Sequence, residues 1–425
     1  MSEATPSFGE LARASLKVGC LGFGGPAGQI ALMHRIFVDE KKWIDEARYL
    51  HALNYCMLLP GPEAQQLATY VGWLLHGVRG GVVAGALFVL PGALTVLGLS
   101  WLYVTQGQTP IVAALFYGVK AAVVAFIVDA LWRIGKRALK ARADAIVAAL
   151  AFVALYVFGV PFTLVILAAG LFGAIVSKPL PATGEPGASP SAARALQAAL
   201  VWGAAWLAPV AIVIAYLGPD HVLSAVSVLF SQLALVTFGG AYAVLAYLQQ
   251  QAVDVHAWLT PGQMIDGLGL AETTPGPLIL VNQFVGFIAG WQAQGGGLGL
   301  ALAAAALASW CTFAPSFVWI FAGAPYAEHL RRNRFAAGAL RAVTAAVLGV
   351  IASLALWFAQ HVLFTQTTNF DTPWGRALHL PALASFDVAA TAIAFVAAVA
   401  LIRFKANAAL VVLMCAAAGW ALTAL

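Results

Sequence analysis

The chain alternates between long apolar runs and short polar joints. Residues 81–104, 109–132, 144–158, 161–177 and 196–217 read as helices with little or no internal charge, and so do 303–324, 339–363, 385–402 and 407–424. Runs of this kind predict membrane-spanning helices. Several hold about 15–18 residues, short for a hydrocarbon core of ~30 Å, so they must stand upright or sit in thinned bilayer. Phe158-Gly159-Val160-Pro161 is a tight turn between two of them. Two further apolar regions are interrupted. Residues 8–36 break at Gly22-Phe23-Gly24-Gly25-Pro26, and 45–77 break at Pro60-Gly61-Pro62. Each piece is about 12–17 residues, or ~18–25 Å of helix, too short to cross alone. Each pair is therefore either one interrupted span or a re-entrant hairpin.

The pattern then repeats. Phe23-Gly24-Gly25 matches Phe238-Gly239-Gly240, Trp43 matches Trp258, and Pro60-Gly61-Pro62 matches Pro275-Gly276-Pro277, all at an offset of 215. Past the Gly-rich stretch Gly295-Gly296-Gly297 the offset grows to 224. There Pro91 meets Pro315, and Val119-Lys120-Ala121-Ala122-Val123 meets Val343-Thr344-Ala345-Ala346-Val347. Two rare breaker motifs and a Trp in constant register point to internal duplication. The Pro/Gly/Ser-rich linker Pro179–Ser191 is the best boundary. It divides the chain into a first repeat at 1–178, a linker with a connecting helix at 179–222, and a second repeat at 223–425.

The basic residues orient the copies. In the first half they cluster at Arg133, Lys136, Arg137, Lys140 and Arg142, between the fourth and fifth elements. In the second half they cluster at Arg331, Arg332, Arg334 and Arg341, between the third and fourth. Both clusters should be cytoplasmic by the positive-inside bias. Loops of opposite parity require inverted copies, and the extra helix 196–217 allows the flip. The amino terminus then falls inside and the carboxyl terminus outside. Loop 35–48 carries Arg35, Lys41, Lys42 and Arg48, whereas its copy 249–263 carries no Lys or Arg. That asymmetry favours nine spans with re-entrant breaks over thirteen spans. The expected fold is an all-α polytopic membrane protein of two inverted-topology repeats with broken or re-entrant helices.

Composition removes the other classes. Of 425 residues, 62% are hydrophobic and only 9% charged, where a soluble domain carries about 25% charged residues. The net charge of +5 sits in a few short loops, so it reads as an orientation signal, not as a nucleic-acid surface. Cys20, Cys56, Cys311 and Cys415 are widely spaced in apolar segments, with no metal-type spacing. No metal or cofactor is expected, and no secretory signal peptide is evident.

Backbone breaks at membrane depth cost several kcal/mol unless protein or a water-filled cavity satisfies the freed groups. Four breaks in two inverted copies should therefore meet around a cavity, the recurring plan of secondary transporters. A helix that starts after a break offers unpaired N–H groups and a positive dipole end, which suits an anion. Gly22, Phe23, Gly24, Gly25, Phe238, Gly239 and Gly240 form one pair of breaks. Pro60, Gly61, Pro62, Pro275, Gly276 and Pro277 form the other. Asn54, Gln65 and Gln66 flank the first Pro-Gly-Pro turn, and Thr273, Thr274, Asn282 and Gln283 the second, as neutral donors for oxyanion oxygens. Lys120 lies inside a span as an anion partner, or in an ion pair with Asp129 or another carboxylate. Lys17 lies one turn before the Gly break and could equally snorkel to the interface. Glu63 and Glu272 could couple protons if burial raises their pKa, or could sit in ion pairs.

These motifs resemble the chromate ion transporter family, in its long two-domain form. The resemblance rests on Gly22-Phe23-Gly24-Gly25-Pro26 with Thr237-Phe238-Gly239-Gly240, and on Leu59-Pro60-Gly61-Pro62-Glu63 with Thr273-Thr274-Pro275-Gly276-Pro277. It covers essentially the whole chain. The second copy departs from the first, with Ala241 in place of Pro26 and Leu278 in place of Glu63. The resemblance implies a bacterial inner-membrane exporter of chromate that confers resistance, energised by the membrane potential or a proton gradient. Sulfate is the expected competitor, and a homodimer is compatible with it. Another oxyanion carrier is the alternative. An intramembrane enzyme would need a nucleophile–base or redox group in the cavity; His51, Cys20 and Cys56 are the only candidates, and no metal or flavin signature accompanies them. A transporter without enzymatic activity is therefore expected.

Overall fold

The computed structural model describes residues 6–23, 25–107, 109–177, 191–238, 241–326, 334–373 and 377–424. The fold is an all-α polytopic membrane protein with one small β-hairpin. In the first half, α1 (Phe8–Leu21) and α2 (Gly25–His34) flank the Gly break, and α3 (Glu46–Cys56) and α4 (Glu63–Gln106) flank the first Pro-Gly-Pro. Then come α5 (Pro110–Ala138), α6 (Arg142–Tyr156) and α7 (Phe162–Val176). The connecting helix is α8 (Ala192–Leu217). The second half runs through α9 (Val222–Val236), α10 (Ala241–Gln249), α11 (Pro261–Thr273), α12 (Val281–Gln292), α13 (Leu298–Gly323) and α14 (Arg334–Leu363). A hairpin of β1 (Thr367–Asp371) and β2 (Ala377–Pro381) precedes α15 (Val388–Phe404) and α16 (Ala408–Ala424). Among the described residues, α4, α5, α8, α13 and α14 are long and apolar enough to cross a membrane, and α7, α9, α15 and α16 are shorter apolar helices.

Each expected break is present, and local chemistry explains the starts. Ser7 and Glu10 cap α1 reciprocally. Asp45 caps α3 by accepting from Arg48 N at 2.8 Å, and Asp387 caps α15 by accepting from Ala390 N at 2.8 Å. The duplication extends to backbone details that hydropathy cannot reveal. α2 continues into a π-helical turn at Arg35–Glu40, and α10 into one at Gln250–Val255, at the same offset of 215. A left-handed residue follows each turn, Lys42 at φ 51° and Ala257 at φ 49°. Trp43 N then donates to Phe37 O at 2.9 Å, and Trp258 N to Ala252 O at 2.8 Å. The wide turn and the left-handed residue reverse the chain and bring Trp43 onto Phe37, with the rings stacked at 5.9 Å.

The chain forms two compact units, each drawing on both halves: Met1–Trp101, Lys178–Ala241 and Thr274–Ala337 in the first, and Leu102–Ser177, Tyr242–Thr273 and Gly338–Leu425 in the second. In the first unit α4 leaves helical geometry at His76 and Gly77, where Gly77 has φ +60°. Its first arm folds back on the rest. Gly72 meets the backbone of Gly80, and Gly81 meets Thr69. α12 and α13 repeat this hairpin around Gly295–Gly297, with Gly286 against Ala304 and Ala308, and Gly290 against Leu300 and Ala301. Missing side chains let the arms close to backbone contact. The first arm of each hairpin holds about a dozen residues, ~18–20 Å of helix, too short to span a bilayer core. α8 packs on α13 through Trp206, Ala314 and Val318. Leu196, Leu200, Ile212 and Tyr216 on α8 remain exposed; a membrane supplies lipid as their solvent.

In the second unit α5 is central, with α11, α15 and α16 against it. Ala122, Ala125 and Phe126 pack on Leu401, Val411, Val412 and Cys415. Gly118 lies against the carbonyl of Cys415, and Gly419 against Ala114 O and Gly118. Two polar ties bracket the helices. Arg341, near the start of α14, holds Asp144, near the start of α6, through Nε–Oδ1 at 3.0 Å and Nη2–Oδ2 at 2.9 Å. Tyr117, near the start of α5, donates to Asp387 at 2.8 Å; Asp387 caps α15, and its N–H bonds to Leu363 O at the end of α14.

The crossing at Gly118 admits no side chain. Gly118→Leu should cost about 1–3 kcal/mol by overpacking and lower the thermal unfolding midpoint of the detergent-purified protein. Gly98→Ala, where nothing lies within 4 Å of the new methyl, should leave the midpoint unchanged. Equal midpoints for the two variants would contradict the close α5–α16 crossing.

Candidate functional site: a cleft where four helices begin

The four breaks lie in the first unit, and they tie to one another. Gly61 N donates to Thr237 O at 2.8 Å, and Gly276 N donates to Gly22 O at 3.1 Å. Positions 22 and 237 correspond in the repeat, as do 61 and 276. The same bond is thus made once in each direction between the copies. Both donors need unusual backbone, Gly61 at φ +113° and Gly276 at φ +93°, conformations that L side chains adopt at a steric cost. A methyl on Gly61 would also lie 2.8 Å from Gln66 Nε2. Gly92, one residue past Pro91 on α4, packs against Pro275 O and Gly276.

Gln29 adds a third tie. It is fully buried one turn into α2, and its Nε2 donates to Gly22 O at 3.1 Å and to Gly276 O at 2.6 Å. One amide therefore bridges the Gly break of the first copy and the Pro-Gly-Pro turn of the second. Gln66 Nε2 similarly donates to Pro60 O at 2.7 Å and closes the first Pro-Gly-Pro turn.

These ties frame a small, partly open cleft. All of its lining residues belong to the first unit. Pro26 and Gln29 come from the start of α2, and Pro62, Glu63 and Ala64 from the start of α4. Thr237 and Ala241 flank the second Gly break at the start of α10. Pro277, Leu278 and Ile279 begin the 3₁₀ turn that leads into α12. Four post-break helix starts thus face one space. First-turn N–H groups have no intrahelical acceptor and carry the positive end of the helix dipole. Converged starts make an anion-attracting pocket from backbone alone. Glu63 is the charged side chain among the lining residues.

The expected site residues divide accordingly. Gly61, Pro62, Glu63 and Pro277 line the cleft. Gly22, Pro60, Pro275 and Gly276 form its hydrogen-bonded and close-packed frame. Gly25 opens α2 at φ +73°, and Phe23 and Phe238 sit in the breaks beside it and its copy, Phe23 being exposed. Gly24, Gly239 and Gly240 lie outside the described residues. Gln65 and Asn282 are buried, but their amide N–H groups are committed to protein acceptors, Gln65 to Phe313 O at 3.5 Å and Asn282 to Thr312 Oγ1 at 3.0 Å. Thr274 is buried. Thr273 returns its hydroxyl to Leu270 O at 2.8 Å. Asn54 is exposed on α3 and is not part of the cleft lining.

Lys120 and Glu272 belong to the second unit, not to the cleft lining. Lys120 Nζ pairs with Asp266 Oδ1 at 3.4 Å, and Tyr103 donates to Asp266 Oδ2 at 2.8 Å. Asp129 pairs with Arg133 at 2.8 Å instead. Glu272 accepts a hydrogen bond from Tyr242. Sequence reasoning passed over Gln29, Thr237 and Ala241 as ligands of the site. Gln29 corresponds to Val244 in the copy, so the repeat gave it no prominence. The available signal was a lone amide one turn after a break.

The chromate transporter family model matches residues 9–174 and 224–420, one stretch in each half. The chain belongs to the chromate transporter family. It is 33% identical over 435 aligned residues to the chromate transport protein of Pseudomonas aeruginosa, covering 99% of this chain and 94% of that protein. It is 28% identical to the chromate transport protein of Cupriavidus metallidurans, covering 84% of each. An uncharacterized transporter of Bacillus subtilis aligns at 31% identity with 31% of this chain and 68% of its own length. No solved structure matches. For a chromate transporter family member, the match in both halves agrees with the repeated breaks.

The pair of half-buried Lys120 with buried Asp266 yields a stability test. Lys120→Met leaves the Asp266 carboxylate, 5% exposed, without its cation and should cost about 3 kcal/mol. The double variant Lys120→Met/Asp266→Asn should recover most of the lost thermal midpoint in detergent. If the double variant is no more stable than the single, the two residues are not partners.

Proposed function

We propose that this protein carries chromate across the membrane through the cleft of its first unit. The observation that carries the reading is the convergence of four helix starts on one cleft. A tetrahedral dianion has four oxygens to satisfy. The first-turn N–H groups of α2, α4, α10 and the turn before α12 offer donors from several directions. Fixed dipoles stabilise a desolvated anion without a mobile counter-charge. The names of the relatives supply the substrate, and membership of their family favours a transporter over an enzyme.

The copies are read as inverted. Equivalent helices α5 and α14 support this. The start of α14 meets the start of α6, just past the end of α5, through Arg341 and Asp144. The start of α5 meets the end of α14 through Tyr117 and Asp387, whose N–H bonds to Leu363 O. The short first arm of α4 and the short α12 support re-entrant elements and nine spans. The first repeat is taken as 1–178, the linker and connecting helix as 179–222, and the second repeat as 223–425.

The direction is export from a bacterial cytoplasm through the inner membrane, which would confer chromate resistance. Moving a dianion out of a negative-inside cell gains about 4.6 kcal/mol per 100 mV. Membrane potential can therefore drive exit, and a proton gradient could assist through Glu63 or Glu272. Backbone donors read shape and charge more than element identity, so sulfate should compete and a broader oxyanion carrier is the second reading. A homodimer remains compatible with the fold.

Everted vesicles holding the protein should accumulate radiolabelled chromate above empty vesicles when the interior is made positive. Excess sulfate should reduce the uptake. Gly276→Val, which places a β-branched residue at φ +93°, should lower uptake at least 10-fold. Uptake equal to that of empty vesicles would refute the transport reading. Sulfate uptake with no chromate uptake would favour the broader carrier.

A further inference from the structure

The first unit buries several amide groups that are satisfied on one side only. Gln65 and Gln66 donate their N–H groups to backbone carbonyls, yet their Oε1 atoms are buried with no hydrogen-bond donor in the protein. Ser316 Oγ is buried likewise, without a partner. These side chains are 0–1% exposed. A buried oxygen left unpaired is costly, so a group of them calls for a ligand that satisfies lone pairs. An oxyanion cannot do so, because it brings more lone pairs.

Gln66 and Ser316 meet at the first Pro-Gly-Pro turn, with Gln65 against the same stretch of α13. A methyl on Gly61 would lie 2.8 Å from Gln66 Nε2 and 3.7 Å from Ser316 Oγ, so both side chains face the same point of that turn. Gln65 reaches Phe313 O at 3.5 Å, and Phe313 lies one helical turn before Ser316 on α13. Glu63 lies three residues before Gln66 on α4, so the two share a helix face, and Glu63 lines the cleft. The repeat offers a contrast. Leu278 occupies the position of Glu63, and Gly92 that of Ser316. The carboxylate and the hydroxyl therefore meet the first Pro-Gly-Pro turn, whereas Leu278 and Gly92 stand at the second.

We propose that Glu63, Gln65, Gln66 and Ser316 form a subsite for a monovalent alkali cation beside the oxyanion cleft. Hard oxygen ligands suit such an ion, and one carboxylate balances its single charge. The cation neutralises Glu63, which would otherwise repel a dianion from the same cleft. Transport is then coupled to that cation, with the anion held at the helix starts. The coupling rests on the oxyanion reading above, whereas cation binding itself does not.

The test is equilibrium binding of ²²Na⁺ to the detergent-purified protein, without oxyanion, at constant ionic strength. Saturable binding is expected, displaced by unlabelled Na⁺ or K⁺ but not by choline. Gln66→Leu and Ser316→Ala should each weaken it at least 10-fold, while thermal midpoint and monodispersity confirm a folded protein. If those variants fail to fold, the wild-type displacement profile decides. An absence of saturable binding, or displacement by choline equal to that by Na⁺, overturns the proposal. So does binding unchanged in both folded variants, or a protein that takes up a proton instead of Na⁺ when chromate is added. Intact Na⁺ binding with no chromate transport in the vesicle assay would sink the oxyanion reading and leave the cation subsite standing.

Discussion

The architecture of the first unit depends on one reciprocal exchange. Gly61 N–H bonds to Thr237 O, and Gly276 N–H bonds to Gly22 O. A helix broken inside a bilayer leaves peptide groups with no water to satisfy them. Here each copy's turn supplies the missing partner for the other copy's break, and Gln29 ties two of the breaks through a single amide. The breaks are stable because they are paired. Once paired, they set four helix starts around the same space. The packing follows from this requirement: Gly72, Gly80, Gly286 and Gly290 lack side chains where the α4 and α12–α13 hairpins must close.

The economy of charge has the same origin. Only 9% of the residues are charged, and the cleft is lined by one carboxylate and no cationic side chain among the described residues. Anion attraction must then come from oriented peptide groups, which need no counter-ion and carry no titratable group. The ion pairs lie elsewhere. Half-buried Lys120 pairs with buried Asp266, which also accepts a hydrogen bond from Tyr103. At the cleft the copies differ notably at Glu63 against Leu278 and Gln29 against Val244. A duplicated scaffold can thus hold unlike chemistry on its two sides.

Much of this was legible in the sequence because hydropathy and Gly/Pro punctuation report directly on membrane helices and their breaks. The breaks at 22–26 and 60–62, their copies, and most span boundaries follow from that pattern. The π-helical turns at Arg35–Glu40 and Gln250–Val255 were not legible, because they arise from how Trp43 and Trp258 must fold back. The hairpin Thr367–Pro381 lies in a polar joint with no alternation strong enough to announce it. At the site, the turns were readable and the amide roles were not. Gln65 and Asn282 looked like ligands for an anion, yet their N–H groups are spent on α13. Lys120 was legible as an anion partner or as half of an ion pair with Asp129 or another carboxylate, and its neighbour, Asp266, is far away in sequence. Such pairings depend on tertiary contacts that no local pattern encodes.

The central claim, that the four helix starts hold the anion, is tested most directly by locating chromium in a chromate-bound structure through its anomalous scattering. The account predicts a single strong peak in the first unit, between Pro26, Ala64, Ala241 and Leu278, within hydrogen-bond reach of first-turn N–H groups. A peak beside Lys120 with an empty cleft would contradict it.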